Sequence, residues 1–180
     1  MKLTRPVLVV IGVAGLLMVG TVPAQASTAA EADEIYCAVE VTATPDADTT
    51  PASPYCFTAE SEVTTYLESV GVVDPGTANR GVAANTVVGT VYKDANRGGG
   101  SLTFFGASGC AGVTFGFPSL ASGWDNSISS VEGSNGCWLT LYTATNYGSA
   151  RLNCTAYCAS VGTWNDRVQS LVFRPTGTFG

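Results

Sequence analysis

The chain has no histidine. Without imidazole there is no His-based catalytic triad and no general base poised near neutral pH. Basic side chains are scarce as well: eight Lys and Arg stand against 14 Asp and Glu, and charged residues together make up 12% of the sequence. Recognition of phosphate needs a basic surface, so a nucleic-acid partner is excluded. One long apolar run exists, "VLVVIGVAGLLMVG" at residues 7–20, preceded by Lys2 and Arg5 and followed by the small residues around Ala24–Ala26. It is too short to span a membrane and reads as a secretory signal peptide over residues 1–26. The expectation is a secreted, extracellular protein that has no membrane partner and is not an enzyme.

Export gives the cysteines a role. Cys37, Cys56, Cys110, Cys137, Cys154 and Cys158 are an even number in a short chain, which reads as a disulfide framework. Zinc lacks its ligand pattern, because there is no His and no pair of Cys-x-x-Cys motifs. Pairing of sequence neighbours is expected: Cys37–Cys56, Cys110–Cys137 and Cys154–Cys158.

Charge divides what remains. Residues 27–75 hold ten acids and no Lys or Arg, whereas residues 76–180 hold four acids and six bases. In the acidic segment, 27–80, a Pro/Thr/Asp-rich loop at 38–55 precedes a stretch with Val63, Tyr66, Leu67 and Val70 at helical spacing. This predicts one helix near 58–70, capped by Thr58 or Ser61 and ended by Gly71. The opposite charges suggest that the segment docks back onto the basic part, near Arg80, Lys93, Arg97, Arg151, Arg167 or Arg174, with that apolar face buried.

From about residue 87 short β-rich runs alternate with Gly/Asn/Ser turns, about eight in all, a pattern of all-β sandwiches and barrels. The region also repeats itself. "YKDANRGGGSLTF" from Tyr92 lies over "YTATNYGSARLNC" from Tyr142, and "WDNSISS" from Trp124 lies over "WNDRVQS" from Trp164. Copy one spans about 87–133 and copy two about 137–175. Two such copies facing each other make a sandwich of two four-stranded sheets. The three Trp residues are expected to pack in or around the core.

These motifs resemble the βγ-crystallin superfamily, and more narrowly its secreted actinobacterial members. "DNSISS", Asp125–Ser130, matches that family's calcium loop throughout; "NDRVQS", Asn165–Ser170, departs at Gln169. The hairpins match in part: Arg97 takes an aromatic place and Ser149 a glycine place, so the second corner is expected to be altered. The resemblance implies an all-β, βγ-crystallin-like double Greek-key sandwich over 87–175, with the disulfide-closed acidic segment ahead of it. It also implies calcium as cofactor. The first ion would take the Ser127 carbonyl and the Ser129 hydroxyl, with Asp125 and Asn126 ligating or bracing and Asn146 and Tyr147 facing them. The second would take the Arg167 carbonyl and Gln169, with Asn165 and Asp166, facing Asn96 and Arg97. The first is expected to be tighter, because Gln169 is long and neutral and Arg97 and Arg167 bring positive charge.

The resemblance implies a non-enzymatic calcium-binding module. One branch, the peptidase-inhibitor family I36, offers an alternative: inhibition of an extracellular metalloprotease by an apolar loop carrying Cys110, Val113, Phe115 and Phe117. A buried third strand of copy one is the competing reading of that segment.

Overall fold

A computed structural model of the chain describes residues 34–42, 53–72 and 84–180. The signal-peptide reading, Arg80 and most of the Pro/Thr-rich loop lie outside the described residues. Among the described residues no helix is long and apolar enough to cross a membrane.

Copy one supplies four strands: β3 (Thr86–Tyr92), β4 (Ser101–Gly106), β5 (Phe115–Phe117) and β6 (Ser130–Gly133), numbered after two strands described below. Copy two supplies β7 (Cys137–Tyr142), β8 (Arg151–Cys154), β9 (Tyr157–Cys158) and β10 (Ser170–Pro175). The copies do not each form a sheet, as the repeat had suggested. Each lends its third strand to the other: β9 pairs with β6, and β5 pairs with β10. The sandwich part is therefore β4-β3-β6-β9 facing β5-β10-β7-β8. This topology is an all-β double Greek-key sandwich of the kind the resemblance implies. Neither copy can close its core alone, since each sheet is completed by the other.

Apolar side chains alternate inward and interlock the sheets. Phe104 of the first sheet meets Phe117 and Phe173 of the second at ring-centroid distances of 4.8 and 5.1 Å, and all three are buried. Burying each such ring contributes about 1.5–3 kcal/mol. Gly89 is required because a Cβ there would lie 2.4 Å from the Phe173 ring of the facing sheet. Phe115 and Phe117 are 1% and 0% exposed, so the segment proposed as an inhibitory loop is an inner strand. Val113 packs against the same core and Cys110 is buried in its disulfide.

All three disulfides join sequence neighbours: Cys37–Cys56, Cys110–Cys137 and Cys154–Cys158. The second ties the segment before β5 to the start of β7, and the third ties β8 to β9 across the two sheets. The second and third therefore sit where the chain passes from one sheet to the other.

The acidic segment joins the fold through its backbone. Its strand β1 (Tyr36–Glu40) lies parallel to β4, and β2 (Tyr55–Phe57) pairs with β1, so the first sheet has six strands rather than four. Helix α1 (Glu60–Ser69) then packs Val63 against Ala38 and Phe105, with Tyr66, Leu67 and Val70 alongside. Neither Thr58 nor Ser61 caps it; the Glu62 carboxylate instead accepts from the Ala59 amide at 3.1 Å. Gly71 ends it at φ 81°. Among the described residues the one ion pair, Arg97–Glu132, joins two residues of the sandwich, and the described part of the segment is attached by the β1–β4 pairing and the apolar helix face.

The corner expected to be altered is kept. Gly99 has φ 68° and its counterpart Ser149 has φ 66°. A Cβ at Gly99 would lie 2.8 Å from the Asp94 carboxylate, whereas the residue matching Asp94 in copy two is the short Ala144, which leaves room for a side chain at Ser149. Left-handed backbone costs an L-residue about 1–2 kcal/mol. Ser149→Gly should thus gain up to about 1 kcal/mol, and Gly99→Ser should lose about 1–2 kcal/mol. Urea denaturation of the two variants checks this; shifts of the same sign would refute it.

Candidate calcium site

The two polar loops lie side by side and hold each other. The Asn126 amide donates to the Val168 carbonyl at 2.8 Å, and the Asp166 amide donates to the Ile128 carbonyl at 3.2 Å. A second reciprocal pair flanks them, Leu120 amide to Gln169 carbonyl at 3.1 Å and Val161 amide to Ser129 carbonyl at 2.9 Å. Ile128 and Val168 are fully buried between these bonds. Asn126 and Asp166 adopt φ of 54° and 55°, the left-handed region that Asn and Asp tolerate best after glycine. Residue type, backbone and pairing thus repeat together.

The last Ser of each loop braces its own hairpin. Ser130 Oγ donates to the Asp94 carbonyl at 2.6 Å and accepts from the Arg97 amide at 3.1 Å. Ser170 Oγ donates to the Ala144 carbonyl at 2.6 Å and accepts from the Tyr147 amide at 3.1 Å. Both serines are fully buried, and these bonds explain why both loops end in Ser. The hairpin Asn residues reach the opposite copy: the Asn146 amide donates to the Pro118 carbonyl at 2.7 Å, and the Asn96 amide to the Ala159 carbonyl at 2.8 Å. The hairpin tips therefore meet the opposite copy at the approaches to its loop, and their own loop at its final Ser.

The two loops differ chemically where an ion would lie. In the first, Ser127 Oγ donates to the Gly123 carbonyl at 3.0 Å and Ser129 Oγ to the Lys93 carbonyl at 2.5 Å. Each hydroxyl has one proton and two lone pairs; with the proton spent on a carbonyl, the oxygen keeps lone pairs for a cation. Among the described residues none donates a hydrogen bond to the Ser127 or Arg167 carbonyl. Asp125 and Asn126 are exposed at the rim, with Asn126 Nδ2 3.4 Å from Asp125 Oδ2. The Lys93 ammonium is held over the Trp124 ring, 5.1 Å from its centroid. In the second loop the place of Ser127 is taken by Arg167, whose Nη1 donates to the Thr163 carbonyl at 3.5 Å. Asp166 Oδ2 accepts from Asn165 Nδ2 at 2.7 Å, and with Arg167 the loop's formal charge sums to zero. Gln169 turns away, its Nε2 donating to Asn126 Oδ1 at 3.2 Å. The donor set suits a hard, oxygen-seeking cation, and the first loop suits it better. Among the described residues no three His, Cys, Asp or Glu side chains gather as metal ligands, so an ion here would rely on carbonyl and hydroxyl oxygens.

Sequence reasoning missed a lock beside the first loop. Arg97 Nε and Nη2 reach the two Glu132 oxygens at 2.6 and 2.8 Å, and its guanidinium lies 3.8 Å from the Tyr157 ring centroid. Arg97 and Glu132 belong to copy one and Tyr157 to copy two, so hairpin, β6 and β9 are joined; the charge of Arg97 is matched by Glu132. No spacing in the chain marks this pair. The Arg97 guanidinium holds the Glu132 carboxyl below the usual carboxylate range. Burial, with Glu132 beside it, pushes the Tyr92 hydroxyl up.

Solved βγ-crystallin domains resemble this chain over about half its length. One from Flavobacterium johnsoniae is 28% identical, covers 51% of this chain and 99% of its own, and superposes with a TM-score of 0.36. One from an archaeon is 25% identical, covers 49% and 96%, and also scores 0.36. The N-terminal domain of protein S is 19% identical over 51% and 97%, again at 0.36. No protein-family model and no curated protein sequence matches the chain.

The lowered pKa of Glu132 makes a pH prediction. A carboxylate depressed on folding contributes stability that is complete above its unfolded pKa, about 4.3, and lost as pH falls through the folded value. The stability advantage of wild type over Glu132→Gln should be constant from about pH 5 to 7 and shrink below about pH 4. Denaturation midpoints across that range check it; an advantage that grows in acid would refute it.

Proposed function

We propose that the chain is an exported, non-enzymatic calcium-binding module whose principal ion is held by the first loop, Asp125–Ser130. The observation that carries this reading is the engagement of both hydroxyls as donors to backbone carbonyls, Ser127 to Gly123 and Ser129 to Lys93, which leaves lone pairs on both oxygens for a cation. Calcium takes six to eight oxygens and accepts carbonyls, hydroxyls and water as readily as carboxylates. The Ser127 carbonyl and Ser129 hydroxyl would bind it directly, Asp125 would supply the one negative charge of the loop, and Asn126 would brace that carboxylate. Calcium contributes charge and cross-linking here. The second loop is the poorer site, since Arg167 brings its formal charge to zero and Gln169 is directed elsewhere.

The non-enzymatic part of the reading rests on the lack of His, which removes imidazole acid–base and triad chemistry. Inhibition of a metalloprotease through Phe115 and Phe117 has no support, because a ring wholly inside the core cannot enter a partner's cleft.

Calcium should stabilise the protein. A ligand bound only by the folded state adds about 2.7 kcal/mol at a hundredfold excess over Kd, or roughly 5–10 °C in Tm for a chain of this size. Ser129→Ala should lose most of that calcium-dependent increment, whatever its own stability. Calorimetric melting with calcium or a chelator measures both; a wild-type curve indifferent to calcium would rule the function out.

A further inference from the structure

Ser129 and Gln169 hold the same place in the two loops, and their backbones are interchangeable. The Ser129 amide donates to the Tyr92 carbonyl and the Gln169 amide to the Tyr142 carbonyl, both at 2.9 Å, and each residue's carbonyl accepts from the other copy. Only the side chains part company. Ser129 turns back on its own hairpin and binds the Lys93 carbonyl. Gln169 extends across the boundary between the copies and donates to Asn126 Oδ1.

Asn126 is thus gripped twice by the second loop. Its amide is held by the Val168 carbonyl and its side-chain oxygen by the next residue, Gln169. With Oδ1 engaged, the Asn126 Nδ2 group faces the Asp125 carboxylate. A relay runs Gln169 to Asn126 to Asp125, ending on the one formal negative charge of the first loop. No return relay exists, because the serine that matches Gln169 has too short a side chain to reach Asp166.

We infer that Gln169 is a positioning residue for calcium in the first loop, acting through Asn126, and that its reach disarms the second loop, so that each chain binds a single calcium ion. The inference rests on the calcium reading above and adds a direction to it: one loop serves the other. A carboxamide spent on Asn126 is not presented to an ion beside Arg167, and fixing Asn126 and Asp125 beforehand lowers the ordering cost of binding. The repeat is kept for its backbone pairing, while its two side-chain sets have diverged into a binder and a support.

The test is calorimetric titration of calcium chloride into the full mature chain and two variants, with the side-chain amide signals of Asn126 followed by NMR before any metal is added. Wild type should bind one ion. Gln169→Ala should still bind one, roughly fivefold more weakly, the equivalent of one hydrogen bond of about 1 kcal/mol at 1.4 kcal/mol per factor of ten. It should also shift the Asn126 carboxamide signals in the metal-free protein. Gln169→Ser should give up the same fivefold at the first loop and gain a second ion, held more weakly than the first because Arg167 remains, which a merely structural role would not produce. Two ions in wild type, or unchanged affinity in Gln169→Ala, would overturn the inference while leaving calcium binding standing. No calcium uptake by wild type would overturn both readings.

Discussion

The structure turns on the reciprocal bonds between the two polar loops, Asn126 amide to Val168 carbonyl and Asp166 amide to Ile128 carbonyl. Each loop supplies the other with a buried acceptor, since Ile128 and Val168 are fully buried. An unmet backbone group in that position costs about 1–3 kcal/mol. A loop that must be its partner's complement has to be present twice, with the same left-handed residue and the same inward apolar residue. That is the physical reason for the repeated Trp-Asx-Asx pattern. The exchange of β5 and β9 follows the same logic at the level of strands, since it leaves neither copy able to fold without the other.

Binding would build on this rigidity. The loop that offers oxygens to an ion is already fixed by its pairing, by Ser130 on its hairpin, and by the Trp124 and Ile128 anchors. Little ordering remains to be done when a ligand arrives, so even neutral donors can hold a cation. The disulfides act at a different level. They restrain the unfolded chain at the points where strands switch sheets, and the β1–β2 bridge does so for the acidic segment.

Much of this was legible in the sequence, for identifiable reasons. The two loops were visible because their Asx and Ser residues are demanded locally, by left-handed backbone and by hairpin carbonyls. The helix was visible through the spacing of Val63, Tyr66, Leu67 and Val70, and the three disulfides through proximity along the chain. What was not legible depends on partners far apart in sequence. Alternation along β5 does not say which sheet it joins, so Phe115 and Phe117 read equally as bait or as core until the pairing with β10 was known. The parallel union of β1 with β4, which attaches the described part of the N-terminal segment, has no local mark either. Gln169 read as a weak ligand because its residue type was weighed in place; its length matters only once Asn126 is seen across the loop boundary.

The most direct test of the paired-loop account is native-state hydrogen exchange at the amides of Asn126, Asp166, Leu120 and Val161, with and without calcium. The account predicts that the Asn126 and Asp166 amides, though borne by exposed residues, are protected together with the other two, and that calcium slows all four. Exchange of Asn126 and Asp166 at unprotected rates in the presence of calcium would contradict it.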